Sequence, residues 1–241
     1  MITVVTPVSP IPSHPSTEML EETISSVRHH LPDAELILLF DGVRAEQEEW
    51  REQYQEHIVN VLGLSHEWGR CSPFLFAEHT HQVGMLRNVI DEIRTPLMML
   101  VEQDTPLLTD RHIEWDVVTD CLLAGRSNCI RLYHEECVPE SHHYLMHGME
   151  PDAPLLRTAQ YSARPHVATV EQYRKWLTEF TPQANTFLED KLHSVVQEAV
   201  KHQGWASQKV HIYAPANDGW RRSGHLDGRA GGPKFDESLV F

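Results

Sequence analysis

The chain opens on a run with no polar side chain longer than threonine, Ile2 to Val8, before four prolines at 7, 10, 12 and 15 interrupt it. A continuous β-branched run of this kind predicts a strand covered on both faces, entering a loop. Ser16 or Thr17 is placed to cap a helix. Glu18, Glu21 and Glu22 lie near its positive end, Met19, Leu20, Ile24 and Val27 form its apolar face, and Pro32 ends it. Glu35 to Phe40 predicts a second buried strand, stopping at Asp41-Gly42. Glu46 to Glu56 reads as a polar helix and His57 to Leu64, rich in Ile and Val, as a third strand. Thr80 to Ile93 predicts a helix, with Val83, Leu86, Val89, Ile90 and Ile93 on one face. Leu97 to Val101 is a fourth apolar strand, followed at once by Glu102-Gln103-Asp104. His112 to Leu123 reads as a helix and Asn128 to Tyr133 as a strand.

This alternation predicts an α/β fold, with a mostly parallel sheet and helices on both faces. Ligands of such sheets bind beyond the carboxyl ends of the strands, where Asp41 and the Glu102–Asp104 cluster fall. The second half is less regular. Glu135 to Pro165 is rich in His and Pro and reads as a long loop region with room for a hairpin. Thr169 to Phe180 and Thr186 to His202 read as helices, and Lys209 to Tyr213 as a short strand. The glycine- and arginine-rich stretch from Asn217 to Lys234 has the composition of a mobile loop.

Composition narrows the function classes. At 41% hydrophobic residues the chain has enough to bury a core. Its longest apolar runs fall far short of the ~20 residues a membrane span needs. A formal net charge of −15 disfavours general polyanion binding, unless residues such as Arg157, Arg164, Arg174 and Lys175 gather into a groove. Cys71, Cys121, Cys129 and Cys137 form no CxxC pair and the amino terminus has no secretory pattern, so a reduced, cytoplasmic protein is expected. His79 and His81, or His142, His143 and His147, lack the accompanying ligands of a dedicated zinc site.

Glu102-x-Asp104 is the sharpest chemical feature. Two carboxylates one residue apart at the end of an apolar strand suit a hard cation such as Mg²⁺ or Mn²⁺, though acidic residues also end strands as plain solvated turns. The order of features extends this. Thr6-Pro7-Val8 ends the first strand and Asp41-Gly42 the second. A helix then carries Leu86-Arg87-Asn88, and a strand runs into Glu102-Gln103-Asp104. That order resembles the GT-A fold glycosyltransferases, most of all family 2.

The resemblance implies a Rossmann-like GT-A domain over residues 1–241, with a nucleotide-sugar half (1–134), an acceptor half (135–216) and a flexible carboxyl-terminal loop (217–241). It implies that Thr6, Pro7 and Val8 meet the nucleotide and that Asp41 contacts the base. Arg87 would pack beside the diphosphate, with Glu102 and Gln103 in the donor site and Asp104 on the metal. Glu102 stands where the family pattern has its first Asp. Asn185-Thr186-Phe187-Leu188-Glu189-Asp190 is similar to the family's acidic motif. It implies Asp190 as general base on the acceptor hydroxyl of an inverting enzyme, with Glu189 orienting a neighbouring group or capping the helix. In the tail, the resemblance implies His225 as a further metal ligand and Arg221, Arg222 and Arg229 as phosphate clamps. Arg164 and His166, in Tyr161-Ser162-Ala163-Arg164-Pro165-His166, fall where the family lines its acceptor pocket.

The expected function is therefore metal-dependent transfer of a hexosyl or pentosyl group. The donor would be a nucleotide-sugar, a UDP-sugar foremost, and the cofactor Mn²⁺ or Mg²⁺. The acceptor is open between a glycan, a lipid-linked molecule, a protein, a small molecule and modified DNA. A nucleotidyltransferase shares the nucleotide-half topology. That class carries a glycine-rich loop after the first strand, whereas Pro7 to Pro12 here contains no glycine. A non-catalytic nucleotide-sugar-binding protein is the third reading.

Overall fold

A computed structural model describes residues 2–227 and 234–235. Nine strands form one sheet in the order β3-β2-β1-β4-β8-β5-β9-β7-β6. The first four are parallel: β1 (Ile2–Val8), β2 (Glu35–Phe40), β3 (Cys71–Leu75) and β4 (Leu97–Leu100). Alternate residues of each run face opposite sides, both covered in β1, β2 and β4, which is why those three are apolar almost throughout, whereas the edge strand β3 is partly exposed. Val4, Leu36, Leu38 and Met99 pack with helices α1 (Glu18–His30), α2 (Arg51–Trp68) and α4 (Trp115–Leu123). Val5, Ile37, Leu39 and Met98 pack with α3 (His81–Val89), α5 (Val170–Thr178) and α6 (Glu189–Gln203).

The second half of the sheet is mixed. β8 (His166–Thr169) inserts antiparallel between β4 and β5 (Cys129–Leu132), with His166 opposite Leu100 on one side and Arg131 on the other. β9 (Val210–Tyr213) pairs parallel with β5, and the hairpin β6 (Met146–Met149)–β7 (Leu155–Thr158) closes the edge. β8 was not expected from the sequence. It has only four residues between Pro165 and a helix that its own Thr169 caps, the Oγ1 accepting from Gln172 N at 3.1 Å.

The expected strand over His57 to Leu64 is instead part of α2, and the third strand is Cys71–Leu75. Ile58, Val59 and Val61 suggest β structure, but Tyr54, His57 and Val61 bury one face at helical spacing. The stretch from Asn217 is packed as far as it is described. Arg222 is fully buried, donating to the carbonyls of His112 (3.0 Å) and Gly219 (3.0 Å) and to Asp218 Oδ1 (2.5 Å). Ser223 pairs with Leu107, and β10 (Leu226–Asp227) meets β11 (Lys234–Phe235). Among the described residues, no helix is long and apolar enough to cross a membrane.

Two glycines show how local packing separates structure from spacer. A Cβ on Gly42 would stand 2.1 Å from the Glu78 carbonyl carbon and 2.4 Å from His79 N, whereas Gly63 in α2 has nothing within 4 Å. Gly42→Ala is expected to lower stability by about 1–3 kcal/mol through overpacking. Gly63→Ala should raise it by about 0.5–1 kcal/mol by removing helix-interior glycine. Urea midpoints of the two variants check both signs.

Candidate active site

The carboxyl ends of β1 and β4, with the amino ends of α3 and α6, enclose a cavity of about 310 Å³. Pro7, Ser9, Arg44, Gln82, Glu102, Asp104, Phe187 and His225 are among its walls. One wall is the loop after β1, held from below by a stack of rings. His14 lies 3.9 Å from His57 and 5.2 Å from Tyr54, centroid to centroid. Tyr54 donates its hydroxyl to the Val8 carbonyl (3.0 Å), and His57 Nδ1 donates to the Ser16 carbonyl (3.0 Å).

Asp41 organises the entry to α3. Its buried carboxylate accepts from Thr80 N (2.7 Å) and His81 N (3.0 Å), and His79 Nδ1 lies 2.9 Å away. These N–H groups are orphan donors of a helix start, so the acid at the end of β2 acts as a cap supplied from a distant strand. His81 takes a left-handed φ of 58° there, its ring edge-on to Phe187 at 4.0 Å. One residue on, Gln82 is buried and bridges two elements. Its Nε2 donates to Glu102 Oε1 (3.1 Å) and its Oε1 accepts from Leu188 N (3.1 Å), tying the end of β4 to the start of α6.

The carboxylates gather at this junction. Burial first, then the Asp104 carboxylate, hold the Glu102 carboxyl above the usual carboxylate range. Asp104 Oδ2 lies 3.4 Å from His225 Nε2, and Leu226 N donates to the Asp104 carbonyl (2.7 Å), so the tail is docked along the loop after β4. Glu189 Oε2 accepts from Ala163 N (3.0 Å), tying α6 to the loop before β8. Asp190, one residue on, accepts from the Thr186 hydroxyl.

The structure thus brings Pro7, Glu102, Gln103, Asp104 and His225 to one cavity, with Glu189 and Asp190 on the adjoining helix start. It places the other sequence-predicted residues elsewhere. Thr6 and Val8 are buried within the sheet and Asp41 beneath α3. Arg87 donates to the carbonyls of Leu177, Phe180 and Thr181, and Arg222 to the carbonyls named above. His166 is fully buried, donating from Nδ1 to the Arg164 carbonyl (2.7 Å) and accepting from the Tyr173 hydroxyl. Arg164 and Arg221 are half-buried outside this cavity, and Arg229 lies outside the described residues. Arg44, His81 and Gln82 were missed as wall residues. For Arg44, its place two residues past Gly42 at the end of β2 was a usable signal. For Gln82, whose partners lie 20 and 106 positions away, no local signal existed.

No protein-family model and no curated protein matches the chain. Solved structures do. S. aureus TarS 1–349 in complex with UDP-GlcNAc superposes with a TM-score of 0.57 at 7% identity, covering 92% of this chain and 57% of that one. GalNAc-T7 with UDP, GalNAc and Mn²⁺ gives 0.57 at 12%, covering 97% and 45%. A glucose-1-phosphate thymidylyltransferase from Bacillus anthracis, described as putative, gives 0.57 at 8%, covering 95% and 91%. The chain spans 36% to 59% of the length of the TarS structures it matches. The fold is the GT-A, Rossmann-like α/β fold of these enzymes. The likeness reaches that fold and not family 2 within it.

The ring stack under the β1 loop generates a pH dependence. Burial, then the neighbouring His57, lower the His14 pKa from 6.5 to about 3. Between those values the unfolded chain binds a proton that the native chain does not, so stability falls as pH falls through this window. The slope is at most about 1.4 kcal/mol per pH unit for this one histidine. Urea midpoints across the window should drop towards acid, and His14→Phe, which keeps a ring in the stack, should flatten the dependence.

Proposed function

We propose that the protein transfers a sugar from a nucleotide-sugar, a UDP-sugar foremost, to an acceptor hydroxyl with inversion. The observation that carries this reading is the Asp104–His225 pair at the cavity wall, with two acids of α6 beginning just across it. The residues present fit a divalent cation as part of a shared coordination sphere. Neighbouring ligands of an octahedral Mg²⁺ stand roughly 3 Å apart, and the two side chains face each other at 3.4 Å. Among the described residues no group of three or more His, Cys, Asp or Glu side chains could hold a metal. Asp104 and His225 would therefore hold Mn²⁺ or Mg²⁺ together with donor phosphates and water, the usual arrangement for these ions. When bound, the ion neutralises charge on the leaving diphosphate. UDP and Mn²⁺ accompany GalNAc-T7 and UDP-GlcNAc accompanies TarS, in support of the same donor chemistry here.

This chain's own residues do the rest. Residues 1–134 supply the donor side. Pro7, Ser9 and Gln103 shape the nucleoside wall, and Arg44 adds a cation whose buried Nε has no partner among the described residues. Gln82 fixes Glu102 and the first turn of α6 relative to each other. Asp190 takes the proton of the acceptor hydroxyl as it attacks the anomeric carbon. Glu189 holds the loop before β8 against α6 through Ala163 N. Adjacent residues on a helix diverge by about 100°, so one acid serves the acceptor and the other the loop.

The alternative is a nucleotidyltransferase, favoured by the nearly full coverage of the thymidylyltransferase chain. A screen of nucleotide-sugars with and without Mn²⁺ separates the two. Release of nucleoside diphosphate supports the transferase, and pyrophosphate release from nucleoside triphosphate with a sugar phosphate overturns it.

Asp104→Asn should abolish Mn²⁺-dependent UDP binding in calorimetry while the melting temperature stays near that of the parent. Asp190→Asn should lower transfer by about 10²–10⁴-fold with UDP affinity unchanged, and Glu189→Gln should cost distinctly less. Normal turnover by Asp190→Asn would remove it from the role of base.

A further inference from the structure

At the carboxyl end of β5 and the amino end of β8 three arginines converge, with Glu102, Glu135 and Glu189 within electrostatic reach but none of them bonded to an arginine of the group. Arg131 is 2% exposed, on the strand paired to β8. Its Nη1 donates to Gln160 Oε1 (2.8 Å), its guanidinium lies 5.5 Å from the Tyr133 ring centroid, and its buried Nε has no partner among the described residues. Leu132 N donates to the Pro165 carbonyl (2.8 Å), which sets Arg164 beside the end of β5. Ser223 N donates to the Tyr133 carbonyl (3.2 Å), which brings Arg221 to the same place, its Nε also buried without a partner. Between them lies His134, its Nδ1 buried and unpartnered and its Nε2 3.7 Å from Glu135. Burial, then Arg164, Arg131, Arg221 and His225 in turn, push the His134 pKa down to about 3, so the ring is neutral and adds a donor or acceptor rather than a charge.

Among the described residues, no carboxylate lies within ion-pair distance of Arg131, Arg164 or Arg221. The other arginines and lysines that the charge count raised are all neutralised: Arg157 by Glu150 (2.7 Å), Arg174 by Asp91 (3.2 Å) and Lys175 by Glu171 (2.8 Å). In a chain of net charge −15, three cations at one point with no ion-pair partner among the described residues are an exception. Buried N–H groups without partners call for an occupant. Planar guanidinium forks match a tetrahedral oxyanion bidentately, and several of them match one carrying more than a single charge. None of Arg131, His134, Arg164 and Arg221 lines the donor cavity. The cluster stands beside the Ala163–Glu189 contact, on the acceptor side of the acids of α6.

We propose that Arg131, Arg164, Arg221 and His134 form a second anion site that takes a phosphoryl group borne by the acceptor. This deepens the glycosyltransferase reading and rests on it for the word acceptor. The site itself is a binding property that stands apart from turnover. It names the acceptor's chemistry: a molecule whose reacting hydroxyl lies a few bonds from a phosphate.

Inorganic phosphate is the probe, titrated by calorimetry into the full chain alone and into the chain saturated with UDP and Mg²⁺. Phosphate should bind once per chain in both cases. Arg164→Gln should weaken it by about tenfold or more, and Arg164→Lys by less, because the charge remains while the fork is lost. Arg221→Gln, on a different segment, should weaken it as well, and covers the case in which the Arg164 variants fail to fold. Displacement of phosphate by UDP would assign the cluster to the donor diphosphate and overturn the proposal. So would the absence of phosphate binding at millimolar concentrations, or unchanged binding in both glutamine variants. If UDP fails to bind while phosphate binds and responds to the variants, the donor reading falls and the anion site stands. With donor turnover in hand, a phosphorylated sugar should outcompete its unphosphorylated parent as acceptor, and Arg164→Gln should erase that preference in KM. Equal KM for the two would place the anion outside the acceptor and overturn its assignment there.

Discussion

The pairing of β8 between β4 and β5 is the constraint on which the rest of this structure depends. Four residues, His166–Thr169, join a parallel sheet built by residues 2–100 to a second set of strands that, among the described residues, pairs with it through no other strand. Because β8 runs antiparallel to both neighbours, its amino end lies at their carboxyl ends. The loop Tyr161–Pro165 is thereby delivered to the rim that carries Glu102. A parallel strand in the same place would have put that loop at the opposite edge. His166 sits at the centre of the join, buried and neutral, bonded to Arg164 on its own loop and to Tyr173 of α5.

The rim that results is sorted by charge. Glu102, Asp104, Glu189 and Asp190 gather around the cavity and the start of α6. Arg131, Arg164 and Arg221 gather next to them, at the carboxyl end of β5 and the loop before β8. Such separation in a partly desolvated cleft produces a strong local field, more than the chain's overall negative charge would suggest. Neutral side chains keep the two poles in place. Gln82 spans β4 and α6, and Gln160 holds Arg131, so neither pole depends on direct contact with the other.

Several charged residues that looked chemical are bonded to backbone groups, for one recurring reason. Arg87 and Arg222 each donate to several backbone carbonyls at the ends of helices and loops and so tie those segments together. Asp41 performs the mirror task for the amide groups opening α3. A motif that places an acid or an arginine at a strand end is compatible with ligand binding and with capping alike. Which role it takes depends on whether a backbone terminus arrives from elsewhere in the chain.

What the sequence determined by itself was everything set by neighbours within a few positions. Ile2–Val8, Leu36–Phe40 and Leu97–Leu100 had to be strands covered on both faces, because apart from two threonines their side chains are apolar on both sides. The acids at 102 and 104 had to emerge at a strand end, and Glu189 and Asp190 at the start of a helix. From these the α/β class and the edge bearing the site could be read. The tertiary structure decided what rests on distant partners. Residues 57–64 joined a helix because their buried face packs at helical spacing. Residues 166–169 became a strand only because two open edges, β4 and β5, stood one strand's width apart. Arg131 lay unremarked inside a short apolar strand, since nothing local shows that Arg164 and Arg221 will meet it. Hydrogen bonds and charges act through space, and the chain brings residues 131, 164 and 221 together only once the sheet has formed.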